Sequence, residues 1–282
     1  MMFQKTLKQR VKFSGLGVHS GCATTLTLVP APEDTGIVLC NATDKTQCFR
    51  IGAVVPEVAM HATVIKANGW YVSTIEHLMA ALRMLDIDNV VVEMQGNEVP
   101  ILDGSALPFV QGLLDAGFQE QHAPRKFLTP RELLRFADDK GRVIEIVPAN
   151  TFSISYTADF THPLAGSPFL SVDLSSDFFI DHIAPARTFG FLEQLPFLRQ
   201  HKLAQGSSLS NSIVIGQELL NDLRFPDECV RHKILDLIGD LGLLPYRLIG
   251  AVTAAKTSHN FNRLVTEHYC QHPEQWTTVE IS

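Results

Sequence analysis

The sequence predicts an α+β fold of two domains, each a β-sheet packed on α-helices, and three observations support this. At 282 residues the chain is longer than a single hydrophobic core comfortably grows. Each half contains several strand-like segments followed by long helices, without the strand-helix alternation of a parallel sheet. Residues 119–126 (QEQHAPRK) are polar, contain a proline and lack periodicity. We therefore expect an N-terminal domain over 1–122 and a C-terminal domain over 123–282.

The composition excludes several classes of protein. Hydrophobic residues make up 45% of the sequence and charged residues 19%, as in soluble globular proteins. A net charge of −7 without a Lys/Arg cluster argues against nucleic acid as a partner. No apolar run is long enough for a transmembrane segment, and residues 1–13 lack the apolar stretch of a signal peptide. The five cysteines include no C-x-x-C pair, which predicts reduced thiols and a cytoplasmic location.

The first part of the N-terminal domain is predicted to be rich in strands. Residues 3–30 alternate in short β-like runs that glycine-containing turns interrupt. Further on, Asn68 and Gly69 separate the two β-rich arms of TVIKANGWYV. Asparagine and glycine both tolerate the positive φ angles of a type I′ turn, so this segment predicts a β-hairpin.

Two helices are predicted in the rest of this domain. The first begins at Ser73, because STIE has the form of a capping box with Glu76 at the third helical position. A strand, NVVVEM, follows it. The second helix comes after a turn at Asp103 and stops at Gly117.

The C-terminal domain opens with three predicted strands, LLRFA, RVIEIVP and FSISYTADF. A crowded apolar segment follows, with its large side chains at Phe191, Leu192, Leu195, Phe197 and Leu198. Such crowding usually belongs to a core, but it could also form the wall of a channel for an acyl chain. Near the end of the chain, RLIGAVTAAK predicts a strand and leads into a short loop that carries His259.

The segment 226–244 predicts an amphipathic helix, opened by a proline and an aspartate. One stripe of this helix is apolar, with Val230, Ile234, Leu237, Ile238 and Leu241. The opposite stripe places His232, Asp236 and Asp240 one turn apart, with Lys233 beside them. An imidazole and a carboxylate at this spacing can bind one divalent cation, but the solvated face of an ordinary helix has the same pattern.

Glu76 and His77 form a second pair of functional side chains. Adding His77 to His232 and Asp236 gives two imidazoles and one carboxylate, a set that leaves a fourth position on zinc open for water. Glu76 could then act as a general base on that water. A glutamate that only caps its helix would produce the same sequence, so both interpretations stay open.

Two further candidates, His259 and Thr188, follow from residue type alone. His259 lies in a loop after a strand, a position common to functional residues and to surface histidines. Thr188 in ARTFG could donate a hydrogen bond to an oxyanion or could be an ordinary strand threonine.

The sequence also resembles a known family, the zinc-dependent UDP-3-O-acyl-N-acetylglucosamine deacetylases of lipid A synthesis. The matching segments occur in the family's order and cover nearly the whole chain. They are SGLGVHSG, VSTIEHLMAALRMLDIDNV, VPILDGSALPFV, ARTFGF, LRFPDECVRHKILDLIGDL and GAVTAAKTSHNFN. The resemblance implies a hydrolase that removes acetate from the 2-acetamido group of a UDP-linked, 3-O-acylated glucosamine.

The resemblance assigns roles to the candidate residues. It implies that His77, His232 and Asp236 bind the zinc ion, and that Glu76 is the general base on the metal-bound water. It also implies that His259 protonates the departing amine.

The remaining implied roles are supporting ones. Thr188 is expected to stabilise the oxyanion, while Lys233, Asp240 and Asp103 are expected to support the charges around them. Substrate contacts are expected at Phe160, Phe189 and Lys256, with Phe160 and Lys256 toward the uridine diphosphate, and residues 190–214 are expected to form the acyl passage.

The family fold is two α+β domains with one small insert in each and the active site in the cleft between them. We expect a monomer, with transient membrane-surface contact possible because the substrate is amphiphilic. One departure concerns Ser258, since the family usually has glycine beside the proposed acid. If that position required a positive φ, serine would strain the loop.

Two rival functions use the same residues. A non-haem iron oxygenase also binds its metal through two histidines and one carboxylate. Glu76 next to His77, and the absence of any recognisable 2-oxoacid site, argue against it. The second rival is a catalytically silent nucleotide-sugar binding module, which the intact set of candidate residues argues against.

Overall fold

A computed structural model describes residues 2–160 and 162–280. The strands, in chain order, are β1 (Phe3–Leu7), β2 (Val11–Leu16), β3 (Ala23–Pro30), β4 (Ile37–Asn41), β5 (Cys48–Arg50), β6 (Val64–Ala67), β7 (Trp70–Ser73), β8 (Val90–Gln95), β9 (Phe118–Pro124), β10 (Phe127–Pro130), β11 (Leu134–Ala137), β12 (Val143–Val147), β13 (Phe152–Thr157), β14 (Phe169–Asp173), β15 (Phe189–Phe191), β16 (Ile213–Ile215), β17 (Arg247–Leu248), β18 (Gly250–Ala255) and β19 (Trp276–Val279). The helices are α1 (Glu76–Met84), α2 (Leu107–Ala116), α3 (Ser176–Phe178), α4 (Leu195–Gln200), α5 (Glu228–Leu241) and α6 (His259–Gln271).

Each half of the chain builds one five-stranded sheet, and the two sheets have the same topology. The first sheet has the order β2-β3-β8-β4-β5, with β4 and β8 parallel and the other pairs antiparallel. The second has the order β11-β12-β18-β13-β14, with β13 and β18 parallel and the others antiparallel. Mixed sheets of this kind, packed on helices, confirm the α+β class.

Helices α1 and α5 join the two halves. A side chain at Gly239 in α5 would collide with the main chain of Glu76 in α1, so the glycine permits the two helices to approach closely. Arg83 is buried and donates hydrogen bonds to the carbonyl oxygens of Gly242 (2.9 Å) and Leu244 (2.5 Å), at the end of α5. This packing brings the Glu76-His77 pair beside the polar stripe of α5.

The segment at the expected domain boundary is a strand rather than an irregular linker. Strand β9 covers most of 119–126 and pairs antiparallel with β1. Many of its side chains are exposed, so the pattern lacks the alternation that would have predicted a strand. The division at 122/123 stays a prediction, and a continuous strand runs across it.

Two local predictions, the β-hairpin and the capping box, have different outcomes. The hairpin is confirmed, because β6 and β7 pair antiparallel around Asn68 and Gly69, both with positive φ. The capping box at Ser73 is wrong. Ser73 ends β7, Thr74 has a φ of +57°, and α1 begins only at Glu76.

The expectation that all cysteines are reduced is also wrong. Cys40 and Cys48 form a disulfide. They lie directly opposite each other on β4 and β5, where antiparallel pairing brings the two side chains together. Spacing alone could not reveal this pair, because it depends on the register of the two strands.

Two small sheets complete the fold, the β6-β7 hairpin and the parallel pair β15-β16, and the second of these lines the cavity between the halves. Across 2–160 and 162–280, none of the helices combines the length and apolar character needed to cross a membrane.

Candidate active site

A cavity of about 500 Å³ lies between the two halves, and both contribute to its walls. Glu76 and His77 reach it from α1, and His232 and Asp236 reach it from α5. His259 joins them at the first residue of α6. The structure therefore brings the five principal residues predicted from the sequence into one cavity.

The polar stripe of α5 is not a solvated helix face. His232 and Asp240 are each only 2% exposed and Asp236 is 4% exposed. Buried polar side chains require hydrogen-bonding or charged partners, so the contacts of these residues determine what they do. Those contacts divide it into two clusters.

The first cluster, His77, His232 and Asp236, fits a divalent metal ion. Asp236 Oδ1 lies 3.2 Å from His232 Nε2 and 3.6 Å from His77 Nε2, and one ligand atom from each residue lies within 4.8 Å of the others. His232 Nδ1 is 3.0 Å from the carbonyl oxygen of Ala186, which makes Nδ1 the donor and leaves the Nε2 lone pair facing Asp236. Two imidazoles and one carboxylate are the ligand types of an open zinc site.

The electrostatic environment keeps these side chains in the protonation states that bind a metal ion, a neutral imidazole and an ionised carboxylate. Burial lowers the pKa of His232 to about 3, so its ring is neutral. Burial alone would raise the pKa of Asp236, but the neighbouring Lys233 ammonium opposes burial, and the pKa lies well below the ordinary value. Lys233 Nζ donates a 2.7 Å hydrogen bond to Asp236 Oδ2. Although burial opposes it, the Asp236 carboxylate raises the pKa of Lys233 above its usual range.

The second cluster, Glu76, Asp240 and His259, contains a hydrogen-bonded aspartate-histidine pair. His259 Nδ1 lies 2.8 Å from Asp240 Oδ2, which makes Nδ1 a donor to the carboxylate. The other ring nitrogen, Nε2, lies 3.9 Å from Glu76 Oε1 and 4.0 Å from Asp236 Oδ2. Nε2 is therefore the atom of His259 that faces the first cluster.

The pKa values of this second cluster are shifted in the directions that proton transfer requires. Burial lowers the pKa of His259, but the carboxylates of Asp240 and Glu76 outweigh it and raise the pKa to about 10. Burial raises the pKa of Glu76, against the opposing charges of His259 and His77. A protonated imidazole thus lies beside a carboxylate of increased basicity.

Glu76 does not have the capping role that its sequence context allowed. Helix α1 has no side-chain cap, and Glu76 Oε2 accepts a 3.2 Å hydrogen bond from the main-chain nitrogen of Thr63. Its side chain lines the cavity. The capping alternative is therefore excluded.

The supporting residues predicted from the sequence lie at different distances from the clusters. Thr188 lines the cavity and is held at its main chain by Gly104 and Ile213. Asp103 does not contact either cluster: its partners are Ser105 and Arg224, at 2.8 Å each. It shapes the turn whose next residue, Gly104, binds the Thr188 nitrogen.

The predicted substrate contacts are also distributed unevenly. Phe189 lines the cavity, 6.2 Å from the His232 ring. Phe160 packs edge-on against Phe189, with ring centroids 5.7 Å apart. Lys256 lies at the surface, 3.2 Å from Asp159, outside the cavity lining.

The apolar wall of the cavity comes mainly from residues 190–214. Leu195 and Leu198 of α4 line it together with Phe191 and Val214. These leucines are only partly buried, and Phe197 is 51% exposed. The part of the segment around α4 is therefore a cavity wall, whereas Ile213 is fully buried in a small hydrophobic cluster.

Ser258 does not strain its loop. Its φ is −138° and its ψ is 166°, an extended conformation that any residue adopts. Serine is therefore compatible with the loop beside His259.

Several residues in the site were not predicted from the sequence. Thr63 and Asn262 both donate hydrogen bonds to Asp240, at 2.5 Å and 2.7 Å. His19 lines the cavity and is held by Glu98, which accepts a 2.8 Å bond from its main-chain nitrogen. His19 lies in the motif SGLGVHSG, which could have identified it, whereas Thr63 has no sequence signal.

Comparison with known proteins agrees with this geometry. The sequence matches the model of the LpxC family, described as UDP-3-O-acyl N-acetylglycosamine deacetylase, over residues 4–271. A UDP-3-O-acyl-N-acetylglucosamine deacetylase of Syntrophotalea carbinolica is 42% identical over 285 residues, which cover 99% of this chain and 92% of that protein. The same enzyme of Pasteurella multocida is 41% identical over 287 residues, with 99% and 93% covered. The chain belongs to the LpxC family of deacetylases.

Proposed function

We propose that this protein hydrolyses the 2-acetamido group of UDP-3-O-acyl-N-acetylglucosamine, releasing acetate and the free amine, in lipid A synthesis. The observation that supports this most directly is the division of one cavity into two clusters. One cluster has metal-ligand chemistry, and the other contains a carboxylate and a protonated imidazole for proton transfer.

We propose zinc as the ion, bound by His77, His232 and Asp236. The chemistry that zinc supplies when bound to such a set is polarisation of the amide carbonyl and acidification of a water molecule. Lys233 keeps the Asp236 carboxylate ionised through its 2.7 Å hydrogen bond. Ala186 fixes the His232 ring through Nδ1, so that Nε2 would be free to bind the ion.

The chain's own residues then carry the protons. Glu76 removes a proton from the attacking water as the bond to the carbonyl carbon forms, and the Thr188 hydroxyl stabilises the negative charge on oxygen. When the C–N bond breaks, His259 Nε2 donates its proton to the departing nitrogen. Asp240 holds His259 in the orientation and charge state that this donation needs.

The shape of the cavity suits an amphiphilic substrate. Its polar end is lined by the first cluster and by Glu76 and His259 of the second, and its apolar wall, residues 190–214, would receive the acyl chain. Phe160, Phe189 and Lys256 are proposed substrate contacts, although Lys256 lies outside the cavity lining. Asp103 is proposed to act through the Gly104 turn.

We further propose that the protein is a cytoplasmic monomer that contacts the membrane surface briefly to collect its substrate. The proposed location rests on the nucleotide-sugar substrate and no longer on the cysteines, because Cys40 and Cys48 form a disulfide. Exposed apolar side chains near the cavity support this contact: Met60 is 48% exposed and Leu192 is 43% exposed, and both line the cavity. Vesicle co-sedimentation of the purified protein would test it, and equal recovery with and without vesicles would contradict it.

Acetate release is the decisive test of the proposed activity. Purified protein of known metal content is incubated with UDP-3-O-acyl-N-acetylglucosamine and, separately, with its acyl-free counterpart. We expect turnover of the acylated substrate, and weaker turnover without the acyl chain. Turnover without oxygen would exclude the iron oxygenase alternative, while binding without turnover of either compound would favour a silent binding module.

A further inference from the structure

Thr63 contacts three members of the proton-transfer machinery at once, although it belongs to none of the motifs that identify the family. It lies in the loop just before β6 and is 4% exposed. Its main-chain nitrogen donates to Glu76 Oε2 at 3.2 Å, and its hydroxyl donates to Asp240 Oδ1 at 2.5 Å. The same hydroxyl oxygen lies 3.2 Å from His259 Nδ1.

The hydrogen-bond inventory fixes what the hydroxyl does. A threonine has one hydroxyl proton, and the Asp240 carboxylate can only accept. His259 Nδ1 gives its own proton to Asp240 Oδ2, at 2.8 Å, so the Thr63 hydroxyl and His259 Nδ1 both donate to one carboxylate. Asn262 supplies a third donor, at 2.7 Å, also to Oδ2. Thr63 is thus the hydrogen-bonded partner of Asp240 Oδ1.

These contacts cross the cleft. Thr63 comes from the first half of the chain, whereas Asp240 and His259 come from the second. A second bond from the same loop, between the Ala59 nitrogen and Asn260 Oδ1 (2.9 Å), also crosses it. The segment 59–63 therefore ties the loop beside the base to the start of the helix that carries the acid.

We propose that Thr63 is a positioning residue for the deacetylation described above. Its amide orients the Glu76 carboxylate. Its hydroxyl fixes the position of the Asp240-His259 pair relative to Glu76, which lies across the cleft. The inference rests on the proposed function, because it concerns the two groups that carry protons in that reaction.

Two substitutions test the hydroxyl. Thr63→Val keeps the shape and the main-chain amide but removes the donor to Asp240, whereas Thr63→Ser retains a hydroxyl. A hydrogen bond to a charged group is stronger than one between neutral groups, so we expect Thr63→Val to lower kcat by about 10-fold to 100-fold. KM and bound metal should change little, and Thr63→Ser should recover most of kcat.

Thr6→Val provides a matched control. Thr6 is a buried threonine of the same half, and its hydroxyl bonds the Asn89 carbonyl at 2.6 Å, away from the cavity. This variant should lose stability without losing kcat, which separates positioning from general destabilisation. The metal content and melting temperature of all variants are measured alongside their kinetics.

The outcomes distinguish failure of the positioning role of Thr63 from failure of the proposed function. If the wild-type protein turns over the substrate but Thr63→Val has an unchanged kcat, the positioning role is wrong. Loss of kcat in Thr63→Val that Thr63→Ser does not recover would also contradict the role of the hydroxyl. If the wild-type protein itself releases no acetate, the proposed function fails instead.

Discussion

Two histidines in the same cavity, one buried and one partly buried, have opposite pKa shifts and therefore different chemical roles. Burial lowers the pKa of His232 to about 3. At His259 the neighbouring carboxylates outweigh burial and raise the pKa to about 10. The difference follows the partner of Nδ1, which is the neutral carbonyl of Ala186 for His232 and the Asp240 carboxylate for His259. At neutral pH, His232 therefore offers a lone pair and His259 offers a proton.

The comparison shows how one side-chain type serves two roles in one cleft. The His232 side chain is 3% exposed and the His259 side chain 13%, but burial lowers the pKa at both positions, so it cannot account for shifts in opposite directions. The two pKa values differ because the carboxylate beside each histidine is neutralised by other cations to a different extent. Asp236 is shared among two imidazoles and Lys233, whereas Asp240 has His259 as its cationic partner and takes neutral donors from Thr63 and Asn262.

Removing the metal should produce the largest effect, because it leaves the His232 cluster without its function. Treatment with a chelator is expected to lower kcat by about a thousandfold or more. Added zinc should restore activity. Parallel measurement of bound metal and acetate release checks this, and full activity in metal-free protein would remove the cluster from the reaction.

Glu76→Gln should have the next largest effect. The amide is nearly isosteric but cannot accept the proton of water, so kcat should fall by about 10²-fold to 10⁴-fold. Metal content should stay at the wild-type level, because Glu76 lies in the second cluster. A variant with wild-type kcat would exclude Glu76 as the base.

Asp240→Asn should change the pH profile of kcat, because it removes the charge that distinguishes His259 from His232. In the proposed mechanism protonated His259 is the acid, and the Asp240 charge raises its pKa. Removing that charge lowers the pKa of His259. As the pH is raised, His259 should then lose its proton, and the enzyme its activity, at a lower pH than in the wild-type protein. We expect the alkaline limb of the kcat profile to move down by about 1–3 pH units. An unmoved limb, with kcat lowered uniformly, would contradict the assignment of this limb to His259.

Ser258→Gly should have the smallest effect, since it tests only the backbone beside His259. Ser258 is extended and its side chain makes no cap bond to α6. We expect an unchanged kcat and a free energy of unfolding lower by only about 0.3 kcal/mol. Urea denaturation with parallel kinetics measures both. A large gain in kcat would show that serine constrains the acid.

The sequence predicted those parts of the site that depend on local periodicity. The spacing of His232, Asp236 and Asp240 placed them on one face of a helix that the structure confirms as α5. It could not show whether that face is solvated or buried, because burial depends on α1, which lies some 150 positions earlier in the chain. The Glu76-His77 pair supplied the candidate third ligand and the candidate base.

Other features could not be predicted because they depend on tertiary contacts. The pattern Ser73-x-x-Glu76 is that of a capping box, yet the left-handed φ of Thr74 delays the helix start. Thr63 is an ordinary loop threonine until the fold brings it to Asp240. The Cys40–Cys48 disulfide requires the register of β4 and β5.

The most direct test of the two-cluster account compares His232→Gln and His259→Gln in metal content and kcat. The account predicts that His232→Gln loses both bound metal and activity, whereas His259→Gln keeps its metal and loses only kcat. Loss of metal in His259→Gln to the same extent as in His232→Gln, or full kcat in either variant, would contradict the division of the cavity into a metal cluster and a proton-transfer cluster.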